Sequence, residues 1–270
     1  MTQAGSRVVV ITGSARGIGF GLAAEYLARG HRVVVSDLRQ DAIEAALELL
    51  QSPGRTLGVC CDVASLEQLQ DLWQAAVGAF GQVDVWINNA GVGADQSDIS
   101  HTPPALLQAV IDINIKGVVY GSQVAMQGML AQTGGGAIYN TAGFGSDGFW
   151  RRGMTIYGTS KRAVAYFSKG IARELSGSNV IIGWLNPGMV VTPLVLEEAR
   201  AMPAEKWASG RKVFNMFGET IETTARQLVD RIEANRRTAV NIHLLPTWKM
   251  LLKAVAQLFR RRDLFSIHGV

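Results

Sequence analysis

Cysteine is nearly missing from this chain: there are two in 270 residues, and the two are neighbours, Cys60 and Cys61. A bridge between adjacent cysteines in a β-rich run is strained, and metal ligation would need further partners that are not nearby. No disulfide scaffold and no metal site are therefore expected, and both side chains are expected in the core. Long hydrophobic runs are missing too, since none approaches the ~18 residues that a membrane-spanning helix needs. The start, Met1-Thr-Gln-Ala-Gly-Ser6, is too short and too polar to read as a signal peptide, so the chain is expected in the cytoplasm. No low-complexity segment is present. A basic body is absent as well: residues 1–202 carry 14 Lys and Arg against 16 Asp and Glu, while residues 203–270 carry 12 against 6. A slightly acidic body argues against a nucleic-acid partner and moves any charged partner to the C-terminal part.

What is present is an alternation of β-branched runs with helical patterns. At 48% hydrophobic and 18% charged residues, the chain suffices for a single α/β domain over 1–270. Strands are expected at 7–12, 32–37, 56–61, 83–88, 137–141, 180–185 and 239–245. Helices are expected at 18–29, 40–51, 66–80, 104–132 with some irregularity, and 156–175. Continuous apolar strands separated by helices imply a parallel sheet covered on both faces, and right-handed crossovers make it doubly wound, a Rossmann fold of about seven strands.

Two motifs carry chemistry. Gly13-x-x-x-Gly17-x-Gly19 follows the first strand and opens the first helix, with Ser14, Arg16 and Ile18 between the glycines. Glycines there let the backbone turn tightly and approach a pyrophosphate, towards which the helix points its first amides. Taken alone, such a turn also serves packing. Asp37, ending the second strand, is placed to accept hydrogen bonds from a ribose diol and to repel a 2′-phosphate. That favours NAD, while Arg16 and Arg39, each able to pair with a 2′-phosphate, keep NADP open. Tyr157 and Lys161 stand four apart on an expected helix and so share a face. An ammonium so placed favours the phenolate, and the phenol can trade a proton with an alcohol or carbonyl. Asn114 by itself reads as a helix cap or kink.

Together with Asp62-Val63, Asn88-Asn-Ala-Gly91 and Pro187-Gly188 through Thr192, these motifs resemble the short-chain dehydrogenase/reductase family over residues 6–195. The resemblance implies that Asp62 and Val63 contact adenine, that Asn89, Ala90 and Gly91 line the cofactor, and that Val190 and Thr192 hold the nicotinamide carboxamide. It implies further that Tyr157 is the acid/base, that Lys161 binds the nicotinamide ribose, and that Asn114 holds a water in the proton relay. One residue departs from the pattern. The family's serine falls on Gly143 when aligned from Asn140, or near Phe144 when counted back from Tyr157, and neither side chain donates a hydrogen bond. The nearest hydroxyls are Thr141 and Ser146, and Ser146, in a Gly-Ser-Asp-Gly turn, is taken as the substitute. Residues 143–148 and 157–162 also resemble the branch that includes chlorophyll b reductases, which implies a bulky apolar carbonyl substrate and an NADPH preference from which Asp37 departs.

Residues 193–220 are rich in apolar side chains, Trp207, Phe214 and Phe217 among them, and are expected to cover the substrate, with Phe149 and Trp150 as an opposing wall and Arg151 and Arg152 nearby. Residues 247–262 form an amphipathic, cationic helix pattern whose apolar stripe either docks on the body or a second subunit, or lies on an anionic membrane with Trp248 and Phe259 in the interface. The family resemblance also implies a homodimer or homotetramer joined through the helices near 117–132 and 156–175.

Overall fold

The β-branched runs form strands β1 (Val8–Ile11), β2 (Arg32–Asp37), β3 (Thr56–Cys60), β4 (Val85–Asn88), β5 (Gly136–Thr141), β6 (Val180–Asn186) and β7 (Val240–His243). All pair in parallel, in the order β3-β2-β1-β4-β5-β6-β7. Every residue of β1 and β4 is buried, as parallel strands covered on both faces require. The computed structural model describes residues 5–93, 97–202, 204–259 and 262–266.

Helices α1 (Gly17–Ala28), α2 (Gln40–Leu50), α3 (Leu66–Phe80), α4 (Pro104–Ile111), α5 (Gly117–Ala131), α6 (Thr155–Glu174), α7 (Pro193–Ala201), α8 (Ala204–Phe217), α9 (Ile221–Ala234) and α10 (Thr247–Phe259) cover the sheet and its carboxyl end. On one face Leu22 and Tyr26 of α1 meet Leu228 and Val229 of α9; on the other Leu69 and Trp73 of α3 meet Val124 and Met129 of α5. Each such buried side chain contributes about 1.5–3 kcal/mol relative to leaving it exposed. The chain reverses its direction of growth between β1 and β4, which opens a crevice beyond their carboxyl ends.

The irregularity expected in 104–132 is a π-helical turn, Asp112–Lys116, between α4 and α5, and it buries Asn114. Helix α9 was not expected. Its Thr220 cap, accepting from Thr223 N, and its buried Ala225, Leu228, Val229 and Ile232 at helical spacing are the signals that mark it. The expectation for Cys60 is corrected: it is exposed, because β3 is the edge of the sheet and ends at this residue. Cys61 is buried, and burial pushes its thiol pKa up to about 12. The segment 193–220 folds as α7 and α8. At the C-terminus α10 ends at Phe259, and Arg260 and Arg261 lie outside the described residues.

Candidate functional site

The glycine turn is built as its sequence demands. Gly13 and Gly17 have φ of +61° and +63°, the left-handed region that glycine enters at little cost. A Cβ on Gly13 would lie 2.7 Å from Ala90 Cα, and one on Gly19 would lie 2.5 Å from Asn89 Nδ2. Asn89 ties the turn down by donating Nδ2 to Thr12 O at 3.0 Å and to Gly13 O at 2.9 Å. Thr12 Oγ1 accepts from the amides of Asn89 and Ala90 at 3.0 and 3.1 Å. Ser14 is spent on structure, donating to Ile11 O and accepting from Ser36 N. Ile18 packs against the core. At Gly17 a Cβ would meet nothing within 4 Å, so the turn is open on that side. Helix α1 has no capping side chain at Arg16 and no acidic residue in its first turn. An uncapped, positive helix end beside open space fits the pyrophosphate of a dinucleotide.

Asp37 stands half-buried at the end of β2, its Oδ1 accepting from Leu38 N at 2.9 Å. Both arginines able to pair with a 2′-phosphate are engaged by carboxylates: Arg16 by Glu197 at 3.0 Å, and Arg39 by Asp41. Such exposed pairs hold by only about 0–1 kcal/mol. Asp62 accepts from Ala64 N at 2.9 Å and turns the chain into α3, while Val63 is buried against Gly117.

Around Tyr157 the expected residues come together. Lys161 is 4% exposed, with Nζ donating to Thr141 O at 3.1 Å and lying 5.5 Å from the Tyr157 ring centroid. Burial lowers its pKa from the ordinary 10.5 to about 8. Asn114 Oδ1 accepts from Val92 N at 2.9 Å, and its Nδ2 donates to Val92 O at 3.0 Å and to Ser160 Oγ at 3.2 Å. Ser160 Oγ in turn donates to Tyr157 O at 2.7 Å. A Cβ on Gly91 would fall 3.2 Å from Asn114 Oδ1 and 3.5 Å from Lys161 Nζ, so Gly91 lies close against both. Behind the site, Asn88 bonds Trp86, Ser122 and Asn140, and Asn140 bonds Ser168. These links join β4 and β5 to α5 and α6, a fully buried polar brace for the strand ends. Ser160 and Ser168 were not singled out from sequence, where neither carries a local signal.

The absent hydroxyl has a definite address. A Cβ built on Gly143 lies 3.6 Å from Tyr157 Oη, whereas Phe144 lines a cleft with Thr155, Thr159 and Tyr166, so of the two positions Gly143 is the one shown beside the phenol. Gly143 has φ of +135°, a conformation that side-chain-bearing residues rarely adopt. Ser146 is buried and its Oγ donates to Asn186 Oδ1 at 2.9 Å. Its turn is fixed by Ser146 N donating to Gly143 O at 3.1 Å and by Arg162 donating to Ser146 O at 2.9 Å. The wall expected from Phe149 and Trp150 is also displaced. They line a cleft of ≈ 510 Å³ with Thr155, Thr159, Arg162 and Tyr166, all on the face of α6 opposite Tyr157 and Lys161. Arg152 is engaged by Asp98.

Beyond β6, Pro187 leads to Gly188 at φ +80°, Val190 is buried beside its bridge to Glu219, and Thr192 caps α7 by accepting from Val195 N at 3.4 Å. In the lobe, Trp207 and Phe214 meet the fully buried Phe265 edge to face at centroid distances of 5.0 and 5.9 Å, so these two rings are committed to packing.

The family described as short chain dehydrogenase matches residues 7–203. The chain belongs to this family. A probable chlorophyll(ide) b reductase, chloroplastic, of Arabidopsis thaliana is 30% identical over 285 residues, covering 99% of this chain and 56% of the relative. A second chloroplastic chlorophyll(ide) b reductase of the same plant is 32% identical over 232 residues, covering 84% and 65%. This short-chain dehydrogenase thus spans little more than half to two thirds of those relatives, and its likeness to them extends far beyond the segments around Tyr157. The 2-(R)-hydroxypropyl-CoM dehydrogenase of Xanthobacter autotrophicus is 34% identical over 193 residues, 70% of this chain and 76% of the relative. Among solved structures, levodione reductase superposes with a TM-score of 0.80 at 25% identity, covering 90% of this chain and 97% of that one. A 3-ketoacyl-(acyl-carrier-protein) reductase from Brucella melitensis complexed with NADH, at TM-score 0.78 and 23% identity over 90% and 98% of the two chains, shares the fold. Members of the family bind NAD(P). Among the described residues no helix is long and apolar enough to cross a membrane.

Proposed function

We propose that this short-chain dehydrogenase transfers a hydride between NAD(H) and the carbonyl or secondary alcohol of a bulky apolar substrate, with Tyr157 exchanging the proton. The observation that carries the reading is the buried Lys161 ammonium 5.5 Å from the Tyr157 ring, with Asn114 and Gly91 closing the site behind it. Bound nicotinamide supplies the hydride. Tyr157 gives its phenolic proton to the carbonyl oxygen in reduction and takes it back in oxidation, and the Lys161 charge eases both by stabilising the phenolate. Ser160 and Asn114 fix the start of α6 and thereby the phenol. The turn at Gly13–Gly19 and the end of α1 take the pyrophosphate, and Asp37 takes the ribose diol, which favours NAD because both nearby arginines are already paired. The chlorophyll(ide) b reductase activity of the plant relatives supports a carbonyl on a large apolar ring system as the first substrate to try. The exposed Tyr166, Phe149 and Trp150 on the outer side of α6 support a homodimer or homotetramer through that face.

Gly143 favours a second reading, a dinucleotide-binding regulator. A missing oxyanion donor costs roughly 3 kcal/mol of transition-state stabilisation, enough to leave binding without useful turnover. Turnover of NADH and NADPH with chlorophyllide b and a panel of bulky ketones, aldehydes and secondary alcohols separates the two. Tyr157→Phe is expected to lower kcat by at least about a thousandfold, and Ser146→Ala to leave it within about threefold because Asn186 holds that hydroxyl. Wild-type rates in the phenylalanine variant end the proposed mechanism. Tight NADH binding with no turnover of any substrate favours the regulator.

A further inference from the structure

Helices that cover a sheet turn their apolar face inwards. Helix α10 does the reverse. Trp248, Leu251, Leu252 and Val255 are 60%, 68%, 60% and 49% exposed, and their spacing places them on one face. The side turned to the body carries Lys253, whose Nζ donates to Phe217 O at 3.0 Å and pairs with Glu219. The helix is thus held to α8 and to Glu219 by a lysine while these four apolar side chains face outwards. A contiguous apolar stripe on an otherwise polar surface marks a contact site.

Charge decides what makes the contact. Residues 247–262 contain Lys249, Lys253, Arg260, Arg261 and Arg262 and no Asp or Glu. Lys249 Nζ sits 5.7 Å over the Trp248 ring, which puts a cation beside the aromatic at the start of the stripe. Aliphatic side chains on one face, tryptophan at its end with Lys249 beside it, and an excess of cations in the segment, of which Lys253 and Arg262 share the single carboxylate of Glu219, match the boundary between headgroups and acyl chains of an anionic bilayer. We propose that α10 is an interfacial helix that lays Trp248, Leu251, Leu252 and Val255 into the surface of an anionic membrane, without crossing it.

The test is co-sedimentation of the full chain with vesicles of phosphatidylcholine alone and of equimolar phosphatidylcholine and phosphatidylglycerol, at low and high salt. Binding is expected on the anionic vesicles, weaker by about fivefold or more on the neutral ones and at high salt. The double variant Leu251→Glu/Leu252→Glu, altered only at exposed positions, is expected to bind the anionic vesicles at least about tenfold more weakly while keeping its thermal melt and its NADH affinity. Absence of pelleting with anionic vesicles at low salt overturns the proposal, as does equal pelleting of the double variant. So does a smaller assembly of the double variant than of the wild type in analytical ultracentrifugation, which would assign the face to a second copy of the chain.

Discussion

Lys161 sits where an ammonium is costly to keep. Its folded pKa of about 8 lies below the 10.5 of the free side chain because burial disfavours the charge. Between those two pH values the unfolded chain binds more protons than the folded one, so stability rises with pH across that window; below it the full cost is present. Holding the charged lysine at pH 7 therefore costs roughly 3 kcal/mol, a cost that the proposed action of the charge on Tyr157 accounts for. Lys161→Met is expected to unfold at higher denaturant than the wild type at pH 7, by up to about 3 kcal/mol, and to lose most turnover. The stability gap should narrow as pH rises towards 10 in parallel urea titrations; a gap constant from pH 7 to 10 contradicts the argument. The pair itself was legible because four-residue spacing on a helix is local geometry. The links from Asn114 to Ser160 and from Ser146 to Asn186 span 46 and 40 residues, and no local pattern encodes them. Gly143 fell between two ways of counting until its distance to Tyr157 Oη chose one.

At the scale of the element, glycines in the helices divide into those that permit close packing and those that do not matter. Gly128 of α5 lies against the indole of Trp73 on α3, and a Cβ there would fall 2.0 Å from Cζ2. Gly78 of α3 is exposed and a Cβ would meet nothing within 4 Å. Gly128→Ala should destabilise by about 1–3 kcal/mol because two packed helices must move apart. Gly78→Ala should stabilise by about 0.5–1 kcal/mol by reducing unfolded-chain entropy. Thermal melts of the two variants should therefore move in opposite directions, and a shift of the same sign in both would refute the close-packing account. Strand positions were legible from β-branched runs, and α3 was legible to its last residue. Helix α9 was missed because its stripe matters only once α1 is known to lie beside it. The inverted exposure of α10 was hidden for a similar reason: sequence shows an apolar stripe but not which way it faces.

Across the whole molecule, parallel pairing and the reversal between β1 and β4 bring the Gly13–Gly19 turn, Asp37, Gly91, Asn114 and Lys161 to one end of the sheet. Alternation of strands and helices made that architecture readable, since continuous apolar strands have few other solutions. The proposed preference for NAD belongs to this scale, because Arg16 reaches across the turn to Glu197 on α7 while Asp37 stands at the end of β2. A ligand that binds only the folded chain raises its stability by RT ln(1 + [L]/Kd), about 2.7 kcal/mol at a hundredfold excess over Kd. NADH is expected to raise the melting temperature by several degrees, and NADPH at equal concentration by much less, because its 2′-phosphate must approach the Asp37 carboxylate and displace Glu197 or Asp41 from the arginines. Asp37→Ser removes the repulsion, so the two cofactors should then shift the melt about equally, chiefly through a gain for NADPH. Equal shifts in the wild-type protein would show that Asp37 does not read the ribose, and a larger shift with NADPH would mean that Arg16 or Arg39 exchanges its carboxylate for the phosphate.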